Sequence, residues 1–355
     1  MRTWADKREM TTADVTVRGA GIFGLSVAWA CLRRGARVKV IDPNGVAAGA
    51  SGGIVGALAP HTPDNWYDKK EFQRDSLLMA ESYWADVAQV SGHDPGYGRV
   101  GRLQPIMNER GLKLAHDRVE GAKTHWLGQA EWQVVKASDL GHWAPYSPMG
   151  LIARDTLSAR IHPRRATHAL AAAIQEKGGV FSTEGEPEGV EVWATGLAGL
   201  EQLTHELGKE IGVGTKGQAA LLAYNNPTAP QIYASDVYIV PHNDGTVAVG
   251  STNEKTYDRP TETDEKLDEL LERVFGVLPQ LKTAKILSRW AGVRPRAIGR
   301  RPLLGAHPTR EKTYIANGGF KIGFGVAPKM GDAMADLILD GQNTIPTDFR
   351  VESIL

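Results

Sequence analysis

The hydrophobic positions change period several times along the chain, and each change marks an element. Val15, Thr16 and Val17 form a β-branched run, which predicts a strand. After a glycine-rich turn the apolar positions continue at helical density through Ala28 and Leu32, and Gly35 stands where a helix C-terminus expects glycine. Val38 to Ile41 predicts a second strand, closing on Asp42. Strand, helix and strand fit within about 30 residues, the size of a βαβ unit.

Further on, Phe72, Met79, Tyr83 and Val87 predict a helix over 69–90. The Ala-rich segment 163–177 begins with Pro163 and stops at Gly178-Gly179, so it reads as another. Strand-like runs follow at 180–181, 190–194, 219–223, 237–240 and 246–249. The spacing of Leu267, Leu270, Leu271, Val274 and Leu278 predicts an amphipathic helix over 264–278, and a last strong helix is expected over about 331–339. There is no internal repeat, low-complexity tract or long linker. Interleaved βα units and strand clusters predict an α/β fold in which a nucleotide-binding domain carries an inserted second domain.

Composition narrows the function. The chain has 355 residues, enough for two domains or one large one, and its 41 Lys+Arg balance 41 Asp+Glu. That balance removes the basic footprint of a dedicated nucleic-acid binder. A single cysteine, Cys31, excludes an intrachain disulfide framework and a Cys-rich metal site; it is expected to be packed in the first helix. The ten histidines show no HxH or HExxH spacing and there is no GxSxG elbow, so no metal is expected. The first fourteen residues are too charged for a signal peptide, and the apolar run 20–32 is too short to span a bilayer. The expectation is a cytoplasmic protein without an integral membrane segment.

The turn between the first strand and helix reads Gly19-x-Gly21-x-x-Gly24. In such a turn Gly19 permits the tight bend, Gly21 lets backbone approach a pyrophosphate, and Gly24 allows close helix–strand packing. The helix N-terminus adds free N–H groups and partial positive charge. Asp42, 18 residues after Gly24, stands where a carboxylate accepts hydrogen bonds from ribose hydroxyls. Arg18, at the usually apolar strand end, has no explanation in the sequence. The small-residue loop from Gly49 to Leu58 lets backbone amides meet a flat ring system and a phosphate without side-chain obstruction.

These motifs resemble the FAD-dependent D-amino-acid oxidase superfamily, in pattern its glycine oxidase, sarcosine oxidase and D-amino-acid dehydrogenase branch. The resemblance covers most of the chain, through 19–42, 50–58, Val192-Trp-Ala-Thr-Gly196, Gly217-Gln218, Val237-Tyr-Ile-Val-Pro241 with Gly250-Ser-Thr252, Trp290-Ala-Gly-Val-Arg-Pro295 and Gly323-Phe-Gly-Val-Ala-Pro328. It implies a discontinuous Rossmann-like FAD-binding domain (1–88, 150–212 and 289–355) and an inserted α+β substrate domain built on an antiparallel sheet (89–149 and 213–288). It also implies oxidation of a C–N bond by hydride transfer to flavin N5, giving an imine that hydrolyses. Contacts to FAD are implied at Gly19, Gly21, Ile22, Phe23 and Gly24; at Asp42 and Pro43; at Ala50, Ser51, Gly52, Gly56, Ala57 and Leu58; at Ala194, Thr195 and Gly196; and at Gly323, Gly325, Val326 and Ala327. Attachment of the flavin through a C-terminal Cys is excluded, because no Cys is there, and His61 is out of position for a His linkage.

An amino acid substrate requires a cation for its carboxylate, and Arg294 aligns with the family arginine that grips it; a guanidinium suits a carboxylate bidentately. Tyr238 aligns with a tyrosine whose hydroxyl reaches the substrate. Lys321 takes a position where relatives carry a second cation, but lysine is a point charge rather than a fork. Asp236 and Asn253 fall at family pocket positions with differing residue types. Arg296, Arg300 and Arg301 read as surface charges. The N-terminus of the last helix, near Pro328, is expected to favour negative charge on reduced flavin, with Lys329 adding to that field. The partner implied is a small amino acid or amine, with oxygen or another electron acceptor and no nucleic acid. Three other functions remain compatible with the residues: a 2-hydroxy-acid oxidoreductase, the oxidase domain of a tRNA wobble-uridine-modifying enzyme, and a non-catalytic flavoprotein subunit.

Overall fold

A computed structural model describes residues 12–355. The stretch 1–11, part of the segment read above as too charged for a signal peptide, lies outside them. Two sheets organise the chain. The first has six strands in the order Leu303–Ala306, Thr313–Asn317, Val190–Trp193, Val15–Arg18, Val38–Ile41 and Val180–Ser182. All neighbours are parallel except Leu303–Ala306, which runs antiparallel to Thr313–Asn317. Val15, Thr16 and Val17 are all buried, as a central parallel strand covered on both faces requires.

One face of this sheet is covered by the helices Ile22–Arg33, Asp68–Ser91, Pro163–Glu176 and Gly323–Asp340, which share one core cluster with it. Residues 22 to 31 of the first helix are buried without interruption, including Cys31. Against the other face, Leu200 and Leu203 of helix Gly196–Leu207 pack on Trp193, Leu303 and Ile315.

The second sheet has eight strands in the order Ile286–Ala297, Gly212–Ala223, Thr246–Gly250, Val237–Pro241, Gln231–Ala234, Arg102–Pro105, Leu151–Asp155 and Trp132–Lys136. It is antiparallel except where Gln231–Ala234 runs parallel to Arg102–Pro105. Leu151–Asp155 and Ile286–Ala297 are strands of this sheet, so the sequence segments beginning at 150 and at 289 each open within it. A short ribbon, Ala57–Leu58 with Ala159–Arg160, lies beside the two sheets.

Strand periodicity decides what this second sheet shows to each side. Ala220, Leu222, Val237, Ile239, Val247 and Val249 form one core with Leu267, Leu270, Leu271 and Val274 of helix Glu265–Val277. Side chains alternate along a strand. Ala219 and Tyr238, each between two of those core positions or beside one, therefore face the opposite way, into the main cavity.

The last helix begins at Gly323, eight residues before the expected start. Val326 and Ala327 are fully buried in the first core cluster, and that packing outweighs the poor helix propensity of Gly325 and Pro328. Pro328 lies inside the helix and leaves the Phe324 carbonyl without an intrahelical donor. Lys329 pairs with Asp75 rather than reinforcing the field of the helix terminus, which corrects the expectation for that residue.

Candidate active site

A cavity of about 1090 Å³ lies between the two sheets. It is lined at one side by Gly19, Gly21 and Asp42, next by residues 48–51 and 53–59, and at the other side by Tyr238, Trp290, Arg294 and Lys321.

At the glycine turn, the Gly19 N–H donates to the Ile41 carbonyl (2.8 Å) and Gly19 adopts φ +107°, in the region that favours glycine. A Cβ at Gly19 would stand 2.3 Å from the Ala194 carbonyl oxygen. The Asp42 carboxylate accepts from the Ala20 N–H (2.8 Å) and the Asn44 N–H (2.9 Å), which ties the second strand's end to the turn. Ser51 Oγ accepts from the Ile22 N–H (2.9 Å), leaving its own hydroxyl proton to donate. Arg18, unexplained by sequence, lines the same end and pairs with Glu191 on the neighbouring strand.

Four residues expected to touch the cofactor do not line the cavity. Gly24 serves packing, since a Cβ there would lie 2.0 Å from the Gly19 carbonyl oxygen. Gly52 packs against the Ala47 carbonyl, at 2.2 Å from a Cβ, and its own carbonyl accepts from Arg164 Nε (3.1 Å). Val326 and Ala327 point into the core behind the first turn of their helix. The other expected positions, Gly19, Gly21, Ile22, Phe23, Asp42, Pro43, Ala50, Ser51, Gly56, Ala57, Leu58, Ala194, Thr195, Gly196, Gly323 and Gly325, all line it.

Arg294 is fixed by three acceptors. Its Nη1 donates to Ser251 Oγ (2.6 Å), and Nη2 donates to the carbonyls of Thr252 (2.7 Å) and Lys216 (3.2 Å). Its Nε is buried without a partner among the described residues. Burial pulls its pKa down to about 10, against a smaller opposing effect of Glu254, so the group is cationic at neutral pH. Two glycines on adjacent strands leave the space this side needs. A Cβ at Gly217 would meet Arg294 Nη2 at 2.5 Å, and one at Gly292 would meet the Trp290 ring at the same distance.

Behind Arg294 lies a buried polar network. Gln218 Nε2 donates to Glu254 Oε1 (2.9 Å) and Asp264 Oδ1 (2.6 Å), and Thr252 Oγ1 accepts from the Gln218 N–H (2.8 Å). Lys216, 2% exposed, stands 3.3 Å from Asp264 and 3.7 Å from Glu254. The network holds the two backbone carbonyls to which Arg294 donates.

The Tyr238 ring packs against that of Tyr233 at a tilt of 39°, with centroids 4.6 Å apart. Tyr233 donates to Asp236 (3.1 Å); burial, then this contact, pushes its pKa up to about 12. Ser235 and Asp236 both have positive φ in the two-residue turn between these strands, a type I′ arrangement that sets Asp236 at the cavity wall. Lys321 also lines the cavity; burial and then Arg294 lower its pKa. The Arg294 guanidinium and the Lys321 ammonium each lie 5.7 Å from the Phe320 ring. Sequence reasoning missed Tyr233, Ser251 and Trp290. A signal for Trp290 was present, because Gly292 two residues on shares its strand face and vacates the room for its ring.

The cavity fits FAD on features of the chain itself. The glycine cradle at Gly19 and Gly21 admits no side chain without obstruction, the buried Thr195 Oγ1 on the cavity wall lacks a partner, and the amide end of helix Gly323–Asp340 opens onto the cavity. The last feature favours negative charge by roughly 0.3–1 kcal/mol, or about 2 when partly buried.

Comparison with known proteins agrees. The family model DAO, FAD dependent oxidoreductase, matches residues 14–337. The glycine oxidase of Bacillus licheniformis is 26% identical over 369 residues, 95% of this chain and 95% of its own. Among solved structures, glycine oxidase from Geobacillus kaustophilus superposes with a TM-score of 0.82 at 18% identity, covering 96% of this chain and 98% of that one. Iminodiacetate oxidase from Chelativorans sp. BNC1 gives 0.81 at 22% identity, covering 94% and 97%. Among the described residues no helix is long and apolar enough to cross a membrane. With a family match running through both sheets, the protein belongs to the DAO family of FAD-dependent oxidoreductases.

Proposed function

We propose that the protein oxidises the C–N bond of a small amino acid or secondary amine. The carrying observation is Arg294, held by Ser251, Thr252 and Lys216 on the wall of the cavity that the glycine turn also lines. Its positive charge and its remaining Nη1–H are what it offers a substrate carboxylate. Charge-assisted bonds of this kind contribute roughly 1.5–3 kcal/mol each. The relatives named glycine oxidase and iminodiacetate oxidase support the same reading.

FAD, when bound, supplies the acceptor for the α-hydrogen and its electron pair. The residues prepare the substrate for that loss. Arg294 fixes the carboxylate and so the direction of the α-carbon. Ile54, Trp290 and Val293 give the cavity an apolar wall that excludes water from one side. Two cations, Arg294 and Lys321, disfavour an ammonium nearby and so favour the neutral amine, whose lone pair stabilises the imine carbon. Tyr238 sets a hydroxyl on the same wall. Water then hydrolyses the released imine. Lys321, by charge, assists the carboxylate without fixing its plane.

The test is anaerobic bleaching of the bound flavin by amino acids of both hands, N-methyl amino acids and 2-hydroxy acids. Bleaching by amines that is lost in Arg294→Ala supports the proposal. Bleaching by hydroxy acids alone overturns it. Reoxidation on admitting air separates an oxidase from a dehydrogenase.

A further inference from the structure

A second, smaller cavity of about 270 Å³ adjoins the first, and the two share Asn253, Phe320 and Lys321 in their walls. Its charged lining is entirely basic: Lys69, Lys255, Arg296, Arg300 and Lys321. In a chain with equal numbers of acidic and basic residues, five convergent cations without an acid are a local imbalance. They come from separate segments: the start of helix Asp68–Ser91, the loop after Gly250, the end of strand Ile286–Ala297 and its following turn, and the loop before Gly323. They are therefore not one solvated helix face.

None of the five forms an ion pair among the described residues, while nearby acids are engaged elsewhere. Asp348 pairs with Arg301 (3.1 Å), Glu254 with Lys216 (3.7 Å) and Lys266 (3.2 Å), and Asp236 accepts from Tyr233. Two buried polar atoms on the pocket residues also lack partners. Thr215, 1% exposed, has an unsatisfied Oγ1, and Arg296 an unsatisfied Nε. Period-two alternation puts Thr215 on the same strand face as Gly217 and Ala219, and Arg296 on the same face as Arg294. The electrostatics agree: burial first, and then neighbouring cations, depress the pKa values of Lys69 and Lys321. Buried polar groups without partners are uncommon and call for an explanation. An anion in this pocket would supply one.

We propose that the side pocket binds a second anionic group, a carboxylate or phosphate, carried by the substrate at the end remote from its α-carboxylate. The substrate class is then a dianionic amino acid or amine, with Arg294 holding one acid and the side pocket the other. This rests on the amine-oxidation reading of the main cavity. Lys321 stands between the two positions and serves both. Arg296, sequence-assigned to the surface, becomes a specificity residue.

The experiment uses FAD-loaded protein at about 50 mM salt, where screening is modest. Perturbation of the flavin absorbance is titrated with unreactive pairs of equal carbon number: malonate and propionate, succinate and butyrate, glutarate and valerate, with 3-phosphonopropionate as the phosphate probe. At least one dianion is expected to bind about 10-fold or more tightly than its monoanionic partner. The Lys255→Gln/Arg300→Gln double variant is expected to bring that ratio towards one, with its flavin spectrum and Tm retained. Tighter binding of the phosphonate than of any dicarboxylate assigns the pocket to phosphate; the reverse assigns it to carboxylate. Equal binding of dianions and monoanions, or a ratio unchanged in the double variant, overturns the inference. Turnover separates it from its premise. Amines oxidised with no preference for aspartate or glutamate over alanine or 2-aminobutyrate would refute the side pocket alone. Dianion selectivity without oxidation of any amine would refute the oxidation reading and leave the anion pocket standing.

Discussion

The guanidinium of Arg294 occupies the space a side chain at Gly217 would take, with Nη2 standing 2.5 Å from the position of its missing Cβ. Gly217→Ala must therefore displace Arg294 from the carbonyls of Lys216 and Thr252. The expected result is a KM for carboxylate substrates raised about 10-fold, in line with the loss of one charge-assisted bond. FAD content and flavin spectrum should stay normal. Unchanged kinetics would separate Arg294 from the substrate.

Arg294→Lys is expected to behave nearly as Arg294→Ala, because an ammonium cannot reproduce the planar fork that meets Ser251, Thr252 and a carboxylate together. A fall in kcat/KM of about 100-fold or more in both variants, measured under steady-state conditions, is the expected outcome. Recovery by lysine would indicate that charge alone suffices.

Two glycines of one motif should fail differently. Gly21→Val places branched carbons on the cavity side beside Ser51 Oγ, which lies 3.1 Å from a Cβ there. FAD binding should be lost while the protein stays folded, as read by flavin content and circular dichroism. Gly24→Ala instead drives a Cβ to 2.0 Å from the Gly19 carbonyl oxygen. Its effect should be on stability, about 1–3 kcal/mol as for other overpacked sites, visible as a lower Tm even with saturating FAD.

Acid should weaken the loop from Gly49 to Leu58 through His242. This buried histidine stands 3.0 Å from the Ile54 carbonyl through Nε2, with His162 4.8 Å away ring to ring. Burial, and then His162, pull its pKa down from 6.5 to about 4. A base with a depressed folded pKa takes up protons more readily when unfolded. Stability is therefore full above pH 6.5 and declines as pH falls towards 4, by at most on the order of 3 kcal/mol. The Tm of wild type should fall across that interval more steeply than that of His242→Gln, which keeps a donor for Ile54 but cannot titrate.

Much of this was legible in the sequence because local signals agreed there. The β-branched run 15–17, the glycine spacing and the leucine spacing of helix Glu265–Val277, capped by Asp264, all point one way. Helix Glu109–His125 escaped because its buried stripe is built from Ala115 and Ala122, which periodicity barely registers. Strand Ile286–Ala297 escaped because four of its first residues are exposed and Gly292 and Pro295 interrupt it. Arg294 and Tyr238 could be singled out by motif. Ser251 stood inside a motif but its bond to Arg294 did not show there, and Tyr233 and the unpaired cations of the side pocket could not be singled out at all, since only folding brings residues 69, 255, 296 and 321 together.

Arg294 takes two of its three bonds from main-chain carbonyls, which every residue type possesses. The side chains at 216 and 252 therefore touch this hold only through the network that keeps their carbonyls in place, and changes elsewhere leave it intact provided the strands keep their course and positions 217 and 292 stay small. A hold built on main chain is thus set by the course of two strands, which leaves the rim around it free to choose among acids.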